Sequence, residues 1–179
     1  MNCPCGSNEE YSSCCEVPTE GSTPEDIKQL VRRSIVRGFK NAGDVRGELC
    51  LYASLIAKEL LALHNIRSYV VAGSARWNYP IFYEWRPDGR EFHAWLITQY
   101  GEYVDLTIDD IQNRRDFEET NVFRETGYSI DPPLWCWSKR LVDRKYDAVD
   151  LGATSLEIDE NGYSILRTAV HNVYNNLPK

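Results

Sequence analysis

Three stretches of the chain carry apolar residues at the three-to-four-residue spacing of an amphipathic helix. Residues 50–65 have the sequence CLYASLIAKELLALHN, which predicts a helix with a broad buried face. It should end at Asn65, because asparagine tolerates a left-handed cap. A second helix is predicted to begin with Thr23 as its cap and Pro24 in its first turn. A third helix is predicted over residues 160–177.

Shorter β-prone segments lie between these helices. Residues 66–73 (IRSYVVAG) predict one strand, and residues 93–98 and 103–107 predict two more around a turn that contains Gly101. The pattern indicates an α+β protein in which a helix packs on an antiparallel sheet. The aromatic-rich residues 75–92 either cover the core or form the wall of a substrate groove.

The predicted elements bring three chemically reactive side chains into a suggestive order. Gly47 and Asp44 make the start of the helix predicted over residues 50–65 irregular, so Cys50 falls within its first turn. Free backbone N–H groups and the positive end of the helix dipole favour a thiolate there. His93 opens one strand and Asp105 lies on the next, which supplies a nucleophile, a base and a group to orient the base.

The geometry of the hairpin decides whether Asp105 can reach His93. Strand side chains alternate between faces, so the two residues share a face only if the intervening turn has an odd length. A turn centred on Tyr100 would pair Asp105 with Trp95 and satisfy this requirement. A tight two-residue turn at Gly101 and Glu102 would instead leave Asp110 as the acid nearest His93. The first oxyanion donor is predicted to be the backbone N–H of Cys50, and the second is either in residues 44–49 or on an aromatic side chain.

Residues 1–17, which we call the four-cysteine segment, contain Cys3, Cys5, Cys14 and Cys15 but few apolar residues. Four thiolates can surround one zinc ion, and the metal–sulfur bonds would replace the missing hydrophobic burial. We therefore predict a structural zinc; the alternative is a disordered leader without metal. The CPCGS opening and the C-x-C, C-C spacing resemble the SEC-C metal-binding motif, which implies that the segment also binds a protein partner.

Length, charge and cysteine usage narrow the class of protein. The 179 residues suit one domain over residues 23–179 with the small N-terminal appendage at 1–17. A net charge of −7 does not favour nucleic-acid binding. We recognise neither an apolar run that could span a bilayer nor a signal peptide, so we expect a cytoplasmic protein that does not bind membranes. In that compartment the six cysteines serve metal binding or catalysis more readily than disulfides.

The order of Cys50 with its helix, the HNIRSYVVAG strand, HAW at His93 and GEYVDLT at Asp105 resembles the transglutaminase-like branch of the papain-like cysteine enzymes. Asn65 stands where that family often has glycine, and Leu106 where proline commonly follows the aspartate. The resemblance implies a papain-like core, with Cys50, His93 and Asp105 catalysing acyl transfer. Hydrolysis of a peptide or isopeptide amide in a peptide or protein substrate is the first expectation. The alternatives are an amine acyltransferase and a noncatalytic zinc-containing protein-binding module.

Overall fold

The computed structural model of the protein describes residues 1–77, 81–120, 123–124, 127 and 131–178. Its helices are named α1 (Tyr11–Cys14), α2 (Glu25–Ala42), α3 (Cys50–Ala62) and α4 (Glu160–Asn176). The strands are β1 (Ser68–Trp77), β2 (Phe82–Tyr83), β3 (His93–Thr98), β4 (Tyr103–Asp105), β5 (Cys136–Ser138) and β6 (Arg144–Leu151). Short 3-10 turns cover Arg46–Glu48, Ile108–Asn113 and Phe117–Glu119.

The strands form one antiparallel sheet. Strands β2 and β3 pair with one edge of β1, β6 pairs with the opposite edge, β4 pairs with β3, and β5 pairs with β4. The α+β class with an antiparallel sheet is therefore confirmed. None of the helices within the described ranges has the length and apolar character needed to cross a membrane.

The two faces of the sheet have different roles because side chains alternate along each strand. Even-numbered residues of β1, β3 and β4 pack into the main core together with α2, α3 and α4. Odd-numbered residues point to the opposite face, where Tyr69, Val71 and Trp95 form a second buried cluster with three of the N-terminal cysteines. His93 and Asp105 lie on this odd-numbered face.

The side chain of Tyr146 connects two strands that are not neighbours in the sheet. In a flat sheet the backbones of β6 and β4 would lie about 14 Å apart, since β1 and β3 separate them at about 4.8 Å per strand. The Tyr146 hydroxyl on β6 is 2.8 Å from the Asp105 carboxylate on β4, and its ring stacks on Trp95 of β3 with 4.7 Å between centroids. The long tyrosine side chain therefore lies across the odd-numbered face.

The helix boundaries largely follow the predicted pattern. Helix α3 begins at Cys50 and ends at Ala62, and Asn65 has the predicted left-handed conformation at φ 58°. The predicted cap at Thr23 is wrong, because α2 begins at Glu25 with Pro24 at the cap position. The Thr23 hydroxyl instead donates to the carboxylate of Glu102, an ionised acceptor that forms a stronger hydrogen bond than a helix N–H could offer.

Glu102 is a buried carboxylate at the β3–β4 turn, and it ties that turn to two other elements. It is 2 % exposed and accepts hydrogen bonds from the Thr98 hydroxyl at 3.0 Å and the Trp137 indole N–H at 3.3 Å. Lys28 of α2 lies 3.5 Å away as the cationic partner. Glu102 thus fixes the hairpin that carries His93 and Asp105 against α2 and β5.

Replacing Glu102 with alanine should therefore lower the free energy of unfolding by about 3 kcal/mol, because several buried donors lose their acceptor together. Urea denaturation followed by circular dichroism measures this loss. The exposed Glu118→Ala on the Phe117–Glu119 turn is the matched control and should change stability by less than about 0.5 kcal/mol. Equal effects of the two substitutions would contradict the anchoring role of Glu102.

Candidate functional site

Cys50 is the first residue of α3, immediately after the Arg46–Glu48 turn and Leu49. Its backbone N–H therefore has no acceptor inside the helix, and its side chain lies at the positive end of the helix dipole. Gly47 allows this loop to approach the Ile108–Asn113 turn, since a Cβ there would lie 2.5 Å from the Asp110 carbonyl oxygen. The sequence thus places Cys50 by a close backbone contact that only glycine permits.

The β3–β4 hairpin has the odd-length turn that the proximity of His93 and Asp105 requires. Ile97 lies opposite Tyr103 and Leu96 opposite Val104, so the turn is centred on Tyr100. Gly101 provides the left-handed position at φ 73°, and its N–H donates to the Thr98 carbonyl at 2.9 Å. Continuing this register pairs Asp105 with Trp95, which puts Asp105 on the same face as His93.

His93 and Asp105 form a buried hydrogen-bonded pair. The distance from His93 Nε2 to Asp105 Oδ2 is 2.8 Å. Tyr146 donates its hydroxyl to the same carboxylate oxygen at 2.8 Å. The other oxygen, Oδ1, accepts from the N–H and hydroxyl of Thr107, each at 3.2 Å. Asp105 is thus held by four hydrogen bonds.

Asp110, the alternative acid, is occupied elsewhere. Its Oδ2 accepts from the backbone N–H of Arg46 at 2.8 Å, and its Oδ1 accepts from the Asn113 side chain at 2.8 Å. Of the two aspartates, Asp105 is therefore the one bonded to His93, whereas Asp110 holds the loop that precedes Cys50.

Opposing effects act on the charge of this buried pair. Burial alone would lower the pKa of His93, but the charge of Asp105, its hydrogen bond and the nearby Cys50 sulfur together raise it well above the ordinary value. Burial would likewise raise the pKa of Asp105, yet the His93 imidazolium and the bonds from Tyr146 and Thr107 lower it. Because Nε2 is bonded to Asp105, Nδ1 is the ring nitrogen left to face Cys50.

Aromatic rings surround the imidazole and keep water from it. Tyr83 stacks on His93 with 5.7 Å between ring centroids, and Trp77 contacts it edge-on at 5.1 Å. Tyr83 also lines the cleft beside Cys50, so residues 75–92 cover the core and form a groove wall at once. Tyr79, which belongs to this segment, lies outside the described residues.

A cleft of about 360 Å³ opens next to Cys50. Tyr83 and Phe92 contribute apolar surface, and the remaining lining residues are charged or polar: Glu48, Arg90, Glu91, Arg114, Asp116, Glu119, Thr120 and Arg124. Arg114 organises one wall, since it makes a two-pronged bond to Asp116 with both distances 2.9 Å and donates to the Tyr83 hydroxyl at 3.2 Å.

Sequence reasoning missed Tyr146 as a residue of this site. Tyr146 lies on an edge strand, 41 positions from Asp105, and it reaches the site across the two strands that separate β6 from β4. Several β6 residues are exposed, so no alternation of apolar and polar residues marks this strand in the sequence.

The four N-terminal cysteines lie together, as a metal site requires. Their sulfur atoms are all within 4.8 Å of one another, with 3.5 Å between Cys5 and Cys14 and 3.7 Å between Cys14 and Cys15. Tetrahedral zinc with bonds of about 2.3 Å would separate its sulfur ligands by about 3.8 Å. The arrangement is therefore compatible with a metal ion.

The acidity of the cluster supports the same reading. Burial and the neighbouring sulfur of Cys3 raise the pKa of Cys15. Against the effect of burial, hydrogen bonds from Ser7 and Cys3 lower the pKa of Cys5 to about 6. Crowded thiols cannot all ionise without a cation among them, and the Arg67 guanidinium already donates to Cys14 Sγ at 3.6 Å. The donor set thus fits a thiophilic cation.

Compared with known families, with curated proteins and with solved structures, the chain matches none of them.

The His93–Asp105 pair makes stability depend on pH in a definite direction. The raised pKa of His93 contributes stability that is complete below the unfolded pKa of about 6.5 and is lost as pH rises through the folded pKa. The lowered pKa of Asp105 contributes stability that is present above the unfolded pKa of about 3.9 and is lost as pH falls through the folded pKa.

We therefore expect Asp105→Asn to destabilise the protein most between about pH 4 and 6.5, and less at alkaline pH. Urea unfolding of both proteins at about pH 5.5 and about pH 9 measures the difference. Asp147→Asn, which removes an exposed partner of Lys145, serves as the control with a small and constant effect. A loss for Asp105→Asn that is the same at both pH values would contradict an ionised pair.

Proposed function

We propose that the protein is a cysteine-dependent enzyme that transfers an acyl group through a thioester on Cys50. The hydrogen bond of 2.8 Å between His93 and Asp105, with Cys50 beside the imidazole at the start of α3, carries this proposal. It combines a nucleophile at a helix N-terminus, a base and an ionised orienting group. These are the parts of a thiol acyl-transfer site.

In the resting site the Cys50 proton is already on His93 Nδ1, so Cys50 is a thiolate beside an imidazolium. The thiolate then attacks the carbonyl carbon of an amide, and the backbone N–H of Cys50 donates to the developing oxyanion. His93 returns the proton to the leaving amine as the C–N bond breaks, which leaves an acyl-thioenzyme. A water molecule, deprotonated by His93, hydrolyses the thioester and restores the thiolate beside the protonated His93.

Hydrolysis of a peptide or isopeptide amide is the reaction we favour, which makes the enzyme a protease or deamidase. The cleft at Cys50 is open and carries both positive and negative side chains along its walls, which suits a polypeptide substrate. An amine in place of water would resolve the same thioester, so an amine acyltransferase shares the first half of the reaction. We propose the transglutaminase-like variant of the papain-like core as the fold that supports this chemistry.

We further propose that the four-cysteine segment holds one structural zinc ion through Cys3, Cys5, Cys14 and Cys15. Four thiolates complete a tetrahedral shell and leave no open position for substrate or water. The zinc would therefore stabilise the segment, and the acyl chemistry would remain at Cys50.

The competing function is a noncatalytic protein-binding module in which the zinc-containing segment contacts the partner. The observation that favours it is that Pro4 and Cys5 are only partly buried, so the cluster offers accessible surface. In that case Cys50 would be an ordinary thiol with no need of a base.

Alkylation of Cys50 distinguishes the two functions. Iodoacetamide should modify Cys50 at about pH 6, because the helix terminus and His93 stabilise its thiolate. Trypsin releases Cys50 alone in the peptide of residues 47–58 and Cys136 in that of residues 125–139, so mass spectrometry reports each thiol separately. His93→Ala should slow modification of Cys50 at least about tenfold, since the thiolate loses its cationic partner.

Two controls sharpen this test. Cys136 is buried, which raises its pKa to about 11, so it should stay unmodified in the folded protein. His171→Ala removes a histidine that contacts Glu59 on the helical side and should leave Cys50 as reactive as before. A Cys50 that stays inert until alkaline pH, or that ignores His93→Ala, would favour the binding module.

The zinc proposal predicts about one equivalent of zinc per chain in protein purified without chelator. Elemental analysis by mass spectrometry measures it. Replacing both Cys14 and Cys15 with serine should abolish binding, whereas Cys136→Ser should retain it. Unchanged zinc in the double variant would sink the assignment.

A further inference from the structure

The four-cysteine segment packs on the face of the sheet that carries the Cys50 site. Cys3, Cys14 and Cys15 are buried in one cluster with Tyr69, Val71 and Trp95. A direct contact strengthens this packing: the hydroxyls of Tyr11 and Tyr69 are 3.1 Å apart, and their rings meet edge-on at 5.9 Å. The segment thus forms part of the wall around the aromatic interior.

Trp95 lies between this wall and the His93–Asp105 pair. Its side chain is fully buried, and its indole N–H has no hydrogen-bond partner among the described residues. Its ring stacks on Tyr146 with 4.7 Å between centroids and on His93 with 6.3 Å. Packing alone therefore fixes the orientation of Trp95.

Tyr146 converts this stacking into a constraint on Asp105. Its hydroxyl donates to Oδ2, the same oxygen that is bonded to His93 Nε2. A shift of the Trp95 ring would move the Tyr146 ring stacked on it, and with it a donor that holds Asp105. Both tyrosine and tryptophan are then positioning residues, because they act on Cys50 only through Asp105 and His93.

The four-cysteine segment has little else to hold its own shape. Helix α1 spans only Tyr11–Cys14, which is too short to be stable alone. Its buried side chains are cysteines, so metal–sulfur bonds would supply most of its folding free energy. A segment without metal would loosen and uncover Tyr69 and Trp95.

We propose that the four-cysteine segment, when it is closed by a metal ion, positions Asp105 through Trp95 and Tyr146 and thereby sets the reactivity of Cys50. This inference rests on the proposed function of Cys50 but adds a role that neither the cysteine cluster nor the catalytic residues imply separately. The metal acts from outside the reacting atoms, through contiguous packed side chains.

The full-length protein, loaded with zinc and then treated with a chelator, provides the test. Residues 1–28 form one tryptic peptide that contains all four cluster cysteines, so its alkylation shows when the metal has left. Modification of the peptide of residues 47–58, at about pH 6, should then slow about tenfold. Added zinc should restore the original rate.

Tyr146→Phe tests the route without removing metal. It keeps the stacked ring but deletes the donor, so in the zinc-loaded protein it should slow Cys50 alkylation about tenfold. Metal removal should add little to this effect, because both changes act on the same contact. Tyr163→Phe, which deletes a hydroxyl bonded to Glu59 on the helical side, is the matched control and should leave the rate unchanged.

Fluorine NMR of protein labelled with 5-fluorotryptophan gives a readout independent of Cys50. The Trp95 resonance, assigned with Trp95→Phe, should shift or broaden on metal removal, whereas that of Trp137, bonded to Glu102, should not. If Cys50 is reactive in the wild type but Tyr146→Phe leaves its alkylation rate unchanged, the inference is wrong. It is also wrong if the Trp95 resonance does not change when the metal is removed.

If Cys50 is inert in the zinc-loaded wild type, the proposed function is wrong instead. A Trp95 resonance that still responds to metal removal would then show that this failure is separate from the inference.

Discussion

The buried hydrogen bond between His93 and Asp105 constrains the structure around it. Transfer of a charge from water into a protein interior costs several kcal/mol per ion, and Coulomb attraction offsets this only with good geometry and satisfied hydrogen bonds. His93 is 3 % and Asp105 1 % exposed, so water cannot supply the hydrogen bonds that their polar atoms need. The hairpin register, Thr107 and Tyr146 are thus all needed to keep the carboxylate ionised and aimed at the imidazole.

The division of the sheet into two faces separates the main core from the candidate site. Even-numbered residues pack against the helices and supply the apolar burial that stabilises the domain. Odd-numbered residues form an aromatic interior whose low polarity strengthens every charge–charge contact inside it. Helix α3 connects the two faces. Its apolar side packs in the main core, and its first residue, Cys50, lies near His93 at the start of strand β3.

Local patterns were sufficient to predict the parts of the site that depend on local structure. Apolar spacing and Gly47 located Cys50 at the start of a helix, and strand parity showed what turn would bring Asp105 to His93. Tyr146 could not be predicted, because its contact with Asp105 joins positions 41 residues apart on strands that are not neighbours in the sheet. Thr23 was assigned to a helix cap for a similar reason: its real partner, Glu102, lies 79 positions away.

Composition alone suggested that the four-cysteine segment is a separate appendage. The buried cluster that its cysteines share with Tyr69, Val71 and Trp95 joins positions far apart in the chain, which no spacing rule reveals. The division into residues 1–17 and 23–179 stays a prediction, and the segment packs directly against the sheet.

The state of the His93 ring tests the central claim most directly. Nitrogen-15 NMR of histidine-labelled protein reports the protonation of each ring nitrogen. The signals of His93 are assigned as those that His93→Ala removes. The account predicts that at about pH 7 both nitrogens of His93 carry a proton, with Nε2 in a strong hydrogen bond that Asp105→Asn removes. A neutral imidazole at that pH, or a ring whose signals ignore Asp105→Asn, would contradict it.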